Sequence, residues 1–388
     1  MPTYAYYISP QKTHLTSASN LWQQPLPLAR PETGRTSDFA VSHGEYFEAV
    51  RSFFEQNRCQ TFTRVLTQRL QRTVLPGDIG LIRIHLEKHG EFYHPARVET
   101  DLFGQTFSFV LNVAVTGTGK KHISAEFQNL KRLNDEFSEA YLPRVYSAGE
   151  AVSRSGITFS MFLGEWFEDY HEFHITRQNS DGRGNICVWD DKMGRTILSR
   201  EQTLQLYRQA ARIMTCYYNI ATFEHIAKWH HAAGDFIIRL DQKSIDLKLI
   251  TVRGYAPLFR GVSSRETGER DAEQMLQALL IFLLKLSLRM RLDRIDGVGE
   301  LVWSDPGVVR STVEGLFEGL AQKPADPVLP DAVATCFQYY LSVCNEQDLI
   351  ELSDSILQTI QPNSEEFYMI KQNLSEHVGL LVESIREI

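Results

Sequence analysis

The sequence predicts an α+β protein in two lobes: a small one of five antiparallel strands with one helix, and a larger, mainly helical one. Three observations carry this prediction. Apolar residues alternate with period two in GLIRIHLEKHGEFYHPARVET, around a KHGE turn, and again in TFSFVLNVAV, where Asn112 sits mid-strand; this reads as three antiparallel strands. Two further strands are expected near Val145–Tyr146 and over Thr158–Leu163, with a helical pattern (Phe127, Leu130, Leu133) between the third strand and the fourth. From Asp271 onward the periodicity is helical: Asp271 to Met290, Val308 to Leu320, Pro330 to Leu349, Leu352 to Ile360 and Glu365 to Ile388.

The remaining elements follow in chain order. Residues 1–43 mix Pro, Ser, Thr and Gln without clear periodicity and read as an extended arm. Helical spacing over Tyr46–Leu70, interrupted near Asn57–Gln60, predicts two short helices. Polar QNSDGRGNICVWDDKMG predicts a surface loop or small hairpin, and Arg200–Trp229 a single long helical region. Two short strands, Phe236–Leu240 and Ile245–Ile250, flank the turn DQKS. The expected segments are 1–75 (arm and helices), 76–176 (small lobe), 177–325 (large lobe) and 326–388 (helical extension).

Composition narrows the function classes. A chain of 388 residues with 43% hydrophobic content can bury a large core, and 23% charged residues is ordinary for a soluble protein. With a formal charge of −8 and no Lys/Arg run, neither nucleic acid nor an anionic membrane is the expected partner. The five cysteines are odd in number and form no CxxC, which predicts free thiols in a reducing compartment, the cytoplasm. The start, MPTYAYYISPQKT, lacks a basic region leading into an apolar one, so no signal peptide is expected. The most apolar stretch, Met275–Leu284, is followed by Lys285 and Arg289 and falls short of the roughly 20 residues of a membrane span.

Four segments are candidates for chemistry: SAEFQNLKRL, LPRVYSAGE, FSMFLGEWFEDYHEFH and HIAKWHHAAGDFIIRLDQKSIDLKLITVRGY. The glycines of VTGTGKKH do not complete a phosphate-binding P-loop: Ala114 stands at the first glycine position and Lys121 at the Ser/Thr position, which leaves a glycine turn between strand and helix. Acidic Glu165, Glu168, Asp169 and Glu172, with His171 and His174, match no compact zinc spacing.

In their order and intervals these four segments resemble the fold of protein kinases and aminoglycoside phosphotransferases, in a divergent form like an atypical kinase or pseudokinase. The resemblance covers about residues 80–320. It implies that Glu126 is the helix carboxylate that pairs with a strand lysine, although Asn112 occupies that lysine's position; Lys120 or Lys121, just beyond the strand, would supply the charge. Glu165 would lie in the nucleotide hinge. In the His/Asp loop, Asp235 takes the metal-binding Asn position and His230 the catalytic Asp position. An alternative register makes Asp235 the base and leaves Leu240 at the Asn position. His230 and His231 also suit a backbone-holding role. Thr251 replaces the second metal-binding Asp; Asp246 is either a substitute metal ligand or an exposed strand residue, Arg253 either a phosphate contact or a solvated or salt-bridged arginine, and Asp271 either braces the loop or caps its helix.

Three readings follow, the first two with ATP and Mg²⁺ as the implied cofactors. The first is a kinase-fold module that binds a nucleotide, a small molecule or, through its C-terminal helices, a protein, without phosphoryl transfer. The second is an atypical ATP-dependent phosphotransferase acting on a small molecule. A third is an unrelated α+β protein; a parallel sheet over residues 80–165 would point to it.

Overall fold

The computed structural model describes residues 2–9, 13–27, 41–87, 90, 92–176, 184–190, 194–230, 234–241, 244–259, 271–297 and 299–388. It is α+β, in two compact units: Met1–Asn134 with Pro143–Glu168, and Asp135–Leu142 with Asp169–Ile388. The N-terminal segment therefore groups with the strands that follow it, and the C-terminal helices group with the second unit.

The first unit contains β1 (Thr3–Ile8), β2 (Thr13–Leu15), α1 (Asn20–Gln23), α2 (His43–Glu55), α3 (Gln60–Leu70), β3 (Leu81–Leu86), β4 (Ala96–Leu102), β5 (Gln105–Ala114), α4 (Gly117–Glu136), β6 (Val145–Val152) and β7 (Thr158–Glu165). Its strands form one sheet in the order β2-β1-β3-β4-β5-β7-β6. All pairings over residues 81–165 are antiparallel, as expected. The expected unpatterned arm instead supplies β1, parallel to β3, and β2 beside it. Aromatic residues on both faces hide its alternation: Tyr4 and Tyr6 pack on the core, and Tyr7 turns to the other face, onto His85.

Period-two alternation divides this sheet into two different faces. One carries Ile82, Ile84, Val98, Phe109, Leu111 and Met161 into a core closed by Tyr46, Phe47, Phe54 and Phe62 of α2 and α3. The break between those helices falls where expected, with Asn57, Arg58 and Cys59 all at positive φ. The opposite face carries α4, whose Phe127 ring lies 5.8 Å from Phe162. This helix begins seven residues earlier than Ser124, so GTGKK is helix rather than turn: Thr116 Oγ1 accepts the Gly119 N–H at 3.0 Å and closes the first turn. Gly119 is required there, because a Cβ would meet the Phe92 carbonyl oxygen at 2.3 Å.

The second unit contains β8 (His171–Thr176), β9 (Asn185–Asp190), β10 (Gly194–Ile197), α5 (Arg200–Cys216), β11 (Glu224–Ala227), β12 (Phe236–Asp241), β13 (Ser244–Leu249), β14 (Gly254–Pro257), α6 (Ala272–Arg291), β15 (Leu292–Arg294), β16 (Leu301–Trp303), α7 (Gly307–Ala321), α8 (Val333–Val343), α9 (Glu346–Leu357) and α10 (Glu365–Arg386). The expected hairpin joins a larger sheet, β10-β9-β8-β12-β13. The expected 30-residue helix stops at Cys216. Asn219 Oδ1 then accepts the N–H groups of Ala221 and Thr222, and β11 pairs with β14. α5 and α7 cross closely because Gly315 has no side chain; a Cβ there would lie 2.0 Å from the Arg208 carbonyl oxygen. The apolar stripe of α10 (Ile370, Leu374, Val378, Leu381) is buried against its own unit, mainly α7 and α9. All five cysteines are free thiols, and no helix of the described residues is long and apolar enough to cross a membrane.

Candidate functional site

In the second unit the backbone turns at Gly234 (φ 82°) and enters β12, leaving the Asp235 carboxylate fully buried. The carboxylate is clamped by Arg253, which lies just before β14: Nη1 donates to Oδ2 at 2.7 Å and Nη2 to Oδ1. The backbone N–H of His230 donates to the same Oδ2 at 2.7 Å. Asp235 thus ties the loop before β12 to the segment after β13. It meets the residue predicted to contact phosphate, and that guanidinium faces a protein carboxylate.

The His230 side chain is exposed as a whole, yet desolvation of its ring, then the nearby Arg289 charge, lower its pKa. A lowered pKa favours the neutral imidazole at pH 7. The bond to Asp235 comes from the His230 main chain and not from its imidazole; His231 lies outside the described residues. Thr251, where the resemblance leads one to expect a second metal ligand, has a buried hydroxyl without a partner among the described residues. Asp271 caps α6, accepting the Gln274 N–H at 2.7 Å. Asp246 sits on β13 in a surface cluster: it accepts from Tyr170 Oη, faces Arg239 across the strands at 3.3 Å and lies 4.0 Å from Lys248. The register pairs Asp246 with Arg239, four residues beyond Asp235, so the structure does not bring the two candidate metal ligands into one coordination set. Among the described residues no group of three His, Cys, Asp or Glu side chains is arranged to hold a metal.

In the first unit, Glu126 points inward from α4, is 1% exposed and accepts the hydroxyl of Tyr93. Tyr93 belongs to the β3–β4 connection, which lies on α4 where Gly119 admits it. Phe92 packs on His122 with ring centroids 4.1 Å apart, and Tyr46 Oη donates to His94 O at 3.0 Å. Asn112 is paired with Phe162 across β5 and β7, on the sheet face that carries α4. Lys120 precedes Glu126 by six helical positions, roughly 240° around the axis, and so points elsewhere. With Lys121, Phe127, Glu150 and Phe162 it lines an open groove of about 870 Å³ between α4 and the β6–β7 edge. Glu165 ends β7, and its carboxylate accepts the backbone N–H of Arg144 at 3.1 Å, which secures the start of β6.

The face beside α4 holds a feature that the sequence reading passed over. Arg83, His85, Arg97, Glu99 and Asp101 project from β3 and β4 as one lattice. Arg83 bonds Glu99 at 3.1 Å and Asp101 at 2.6 Å; Arg97 bonds Glu87 at 2.9 Å and Glu99 at 2.8 Å. His85 Nε2 is 3.3 Å from Glu99, and Tyr7 stacks on His85 with centroids 4.7 Å apart. Arg97 also lies 5.6 Å from the Trp166 ring centre. The close approach of His85, then the charges of Arg97 and the bond from Arg83, hold Glu99 at a pKa of about 2 against the opposing effect of desolvation. The signal was present in LIRIHL and ARVETD, whose charged residues all fall on one strand face; it was read only as alternation.

No family model and no curated protein matches the chain. Among solved structures it is similar to WaaP in complex with acyl carrier protein, at 11% identity over 69% of this chain and 85% of that chain, with a TM-score of 0.30. A likeness at this level assigns neither activity nor partner to this chain.

Proposed function

We propose that this chain is a kinase-fold binding module, pseudokinase-like, that does not transfer phosphoryl groups by the kinase route. The strand order β3-β4-β5-β7-β6, with α4 between β5 and β6, supports the fold part of this reading. The observation that carries the functional part is the clamp on Asp235. Phosphoryl transfer depends on positioning and on metal ions that neutralise charge. Mg²⁺ demands carboxylate oxygens free to complete near-octahedral geometry. Both oxygens of Asp235 already accept from protein donors, and Arg253 already neutralises its charge. Glu126 likewise meets a tyrosine hydroxyl where a kinase would present a lysine. Residence in the cytoplasm, and a protein partner met near exposed Tyr339 and Val343 of α8, belong to the same proposal.

Thermal stability with ATP and Mg²⁺, each alone and together, tests it. A ligand at a hundredfold excess over its dissociation constant stabilises the folded state by about 2.7 kcal/mol. The expected result is no Mg²⁺-dependent shift at millimolar ATP and no transfer of the γ-phosphoryl group to water or small-molecule acceptors. A Mg²⁺-dependent shift that disappears in Asp235→Asn would overturn the proposal in favour of an atypical phosphotransferase. A shift with ATP alone would retain the module and make it a metal-independent nucleotide binder.

A further inference from the structure

The groove between α4 and the β6–β7 edge lies wholly in the first unit, and its volume of about 870 Å³ falls within the roughly 300–1,000 Å³ of small-molecule sites. Its two ends differ in chemistry. The first turn of α4 stands beside Ala114: a Cβ on Gly119 would lie 3.4 Å from Ala114 Cβ. Ala114 pairs with Ser160, and Ser160 with Glu150, so Lys120 and Lys121 share their end of the groove with these two polar residues. Phe127 follows Lys120 by about two helical turns and faces the same way. Its ring packs on Phe162, which pairs with Ala148, and these three form the apolar end. Ala148 is exposed, and its small side chain leaves that end open.

The half-buried Lys120 and the exposed Lys121 form no ion pair among the described residues. Glu150 accepts the Ser160 hydroxyl at 2.8 Å instead. Two ammonium groups against one carboxylate leave the polar end with a single positive charge, which one anionic group balances. An inorganic ion would meet the lysines and leave the aromatic end to water; a neutral apolar molecule would do the reverse. We infer that this groove binds a small amphipathic carboxylate, its charged group at Lys120 and Lys121 and its aryl or alkyl body between Phe127, Ala148 and Phe162. Because the groove lies in the first unit alone, a failure here leaves the reading of Asp235 untouched.

Hydrocinnamate is titrated into the full chain while the methyl resonances of Ile123 and Ala148, both on the groove wall, are followed. Hydrocinnamyl alcohol lacks the charge and acetate lacks the body. Saturable shifts at millimolar hydrocinnamate are expected, with the alcohol and acetate both binding more weakly. Lys120→Gln combined with Lys121→Gln should weaken hydrocinnamate binding about fivefold to tenfold, and added salt should weaken binding to the unmodified chain in the same direction. Ala148→Phe fills the apolar end and should abolish binding, read at Ile123; should this variant fail to fold, the lysine pair decides. No methyl response at millimolar hydrocinnamate overturns the inference. So does equal affinity for the alcohol, which would make the lysines bystanders, and so does binding that either folded variant leaves unchanged, because the ligand would then sit elsewhere.

Discussion

The Asp235–Arg253 clamp of the second unit and the Arg83–Glu99 lattice of the first are made of the same side-chain types in opposite surroundings. Asp235 is wholly buried and its guanidinium partner is one-quarter exposed, so each depends on the other for the solvation that folding removes. The lattice members Arg83, Arg97 and Glu99 keep 16–20% of their side-chain surface, and Asp101 keeps 53%. Water can replace a partner lost at the Asp101 end of the lattice and cannot do so at Asp235. A buried pair is therefore poor evidence of net stabilisation but good evidence of a large penalty when one member is removed. A pair with one half-exposed member, such as Arg83 with Asp101, has a smaller effect in either direction.

The largest expected effect comes from breaking the clamp on one side. Arg253→Met should destabilise the second unit by about 3–5 kcal/mol, because it strands a buried carboxylate. Adding Asp235→Asn should recover much of that loss in the urea midpoint. A single-variant loss below about 1 kcal/mol would mean that water reaches Asp235, and the contrast with the lattice would collapse. Next is Tyr93→Phe, which removes a hydroxyl from buried Glu126 and should cost about 1–3 kcal/mol by the same measurement. A neutral outcome there would place Glu126 with the lattice rather than with the clamp.

Within the lattice, Arg83→Met should cost no more than about 1 kcal/mol, and the difference from wild type should shrink as salt is raised. The Arg253→Met penalty should stay nearly constant over the same salt range. The smallest effect is a pH limb. Glu99 has a folded-state pKa depressed to about 2 from an ordinary value of 4.5. Its contribution is complete above pH 4.5 and is lost as pH falls through 2, since the unfolded chain takes up the proton first. Acid titration of stability in Glu99→Gln should lack this part of the decline. An unchanged curve would assign the acid limb to other carboxylates.

Much of the first unit was legible because its pattern is local. Strands 81–86, 96–102 and 105–114 and the helix break at Asn57–Cys59 follow from period, turn residues and the distribution of apolar side chains. The start of α4 was not legible as helix, because Gly117 and Gly119 are poor helix formers read alone. Gly119 is tolerated because the β3–β4 connection lies against it, a contact the sequence does not announce. β1 was hidden for a related reason: a strand with tyrosines on both faces has no hydrophobic alternation to read. At the candidate site, Glu126, Asp235 and Arg253 could be singled out by type and position, but not their partners. Tyr93 is 33 residues from Glu126, and Arg253 is 18 from Asp235.

The sequence by itself determined the α+β class, the antiparallel core of the first unit, the helical C-terminal third and the carboxylates worth watching. These depend on short-range periodicity and on residue chemistry, which neighbours in the chain suffice to express. Only the tertiary structure decided what those carboxylates do. Whether Asp235 is an open metal ligand or a clamped one depends on whether a guanidinium from a later segment arrives with both nitrogens in line, and on how much water the surrounding core excludes. Both are properties of distance and burial, set when segments far apart in the chain are brought together.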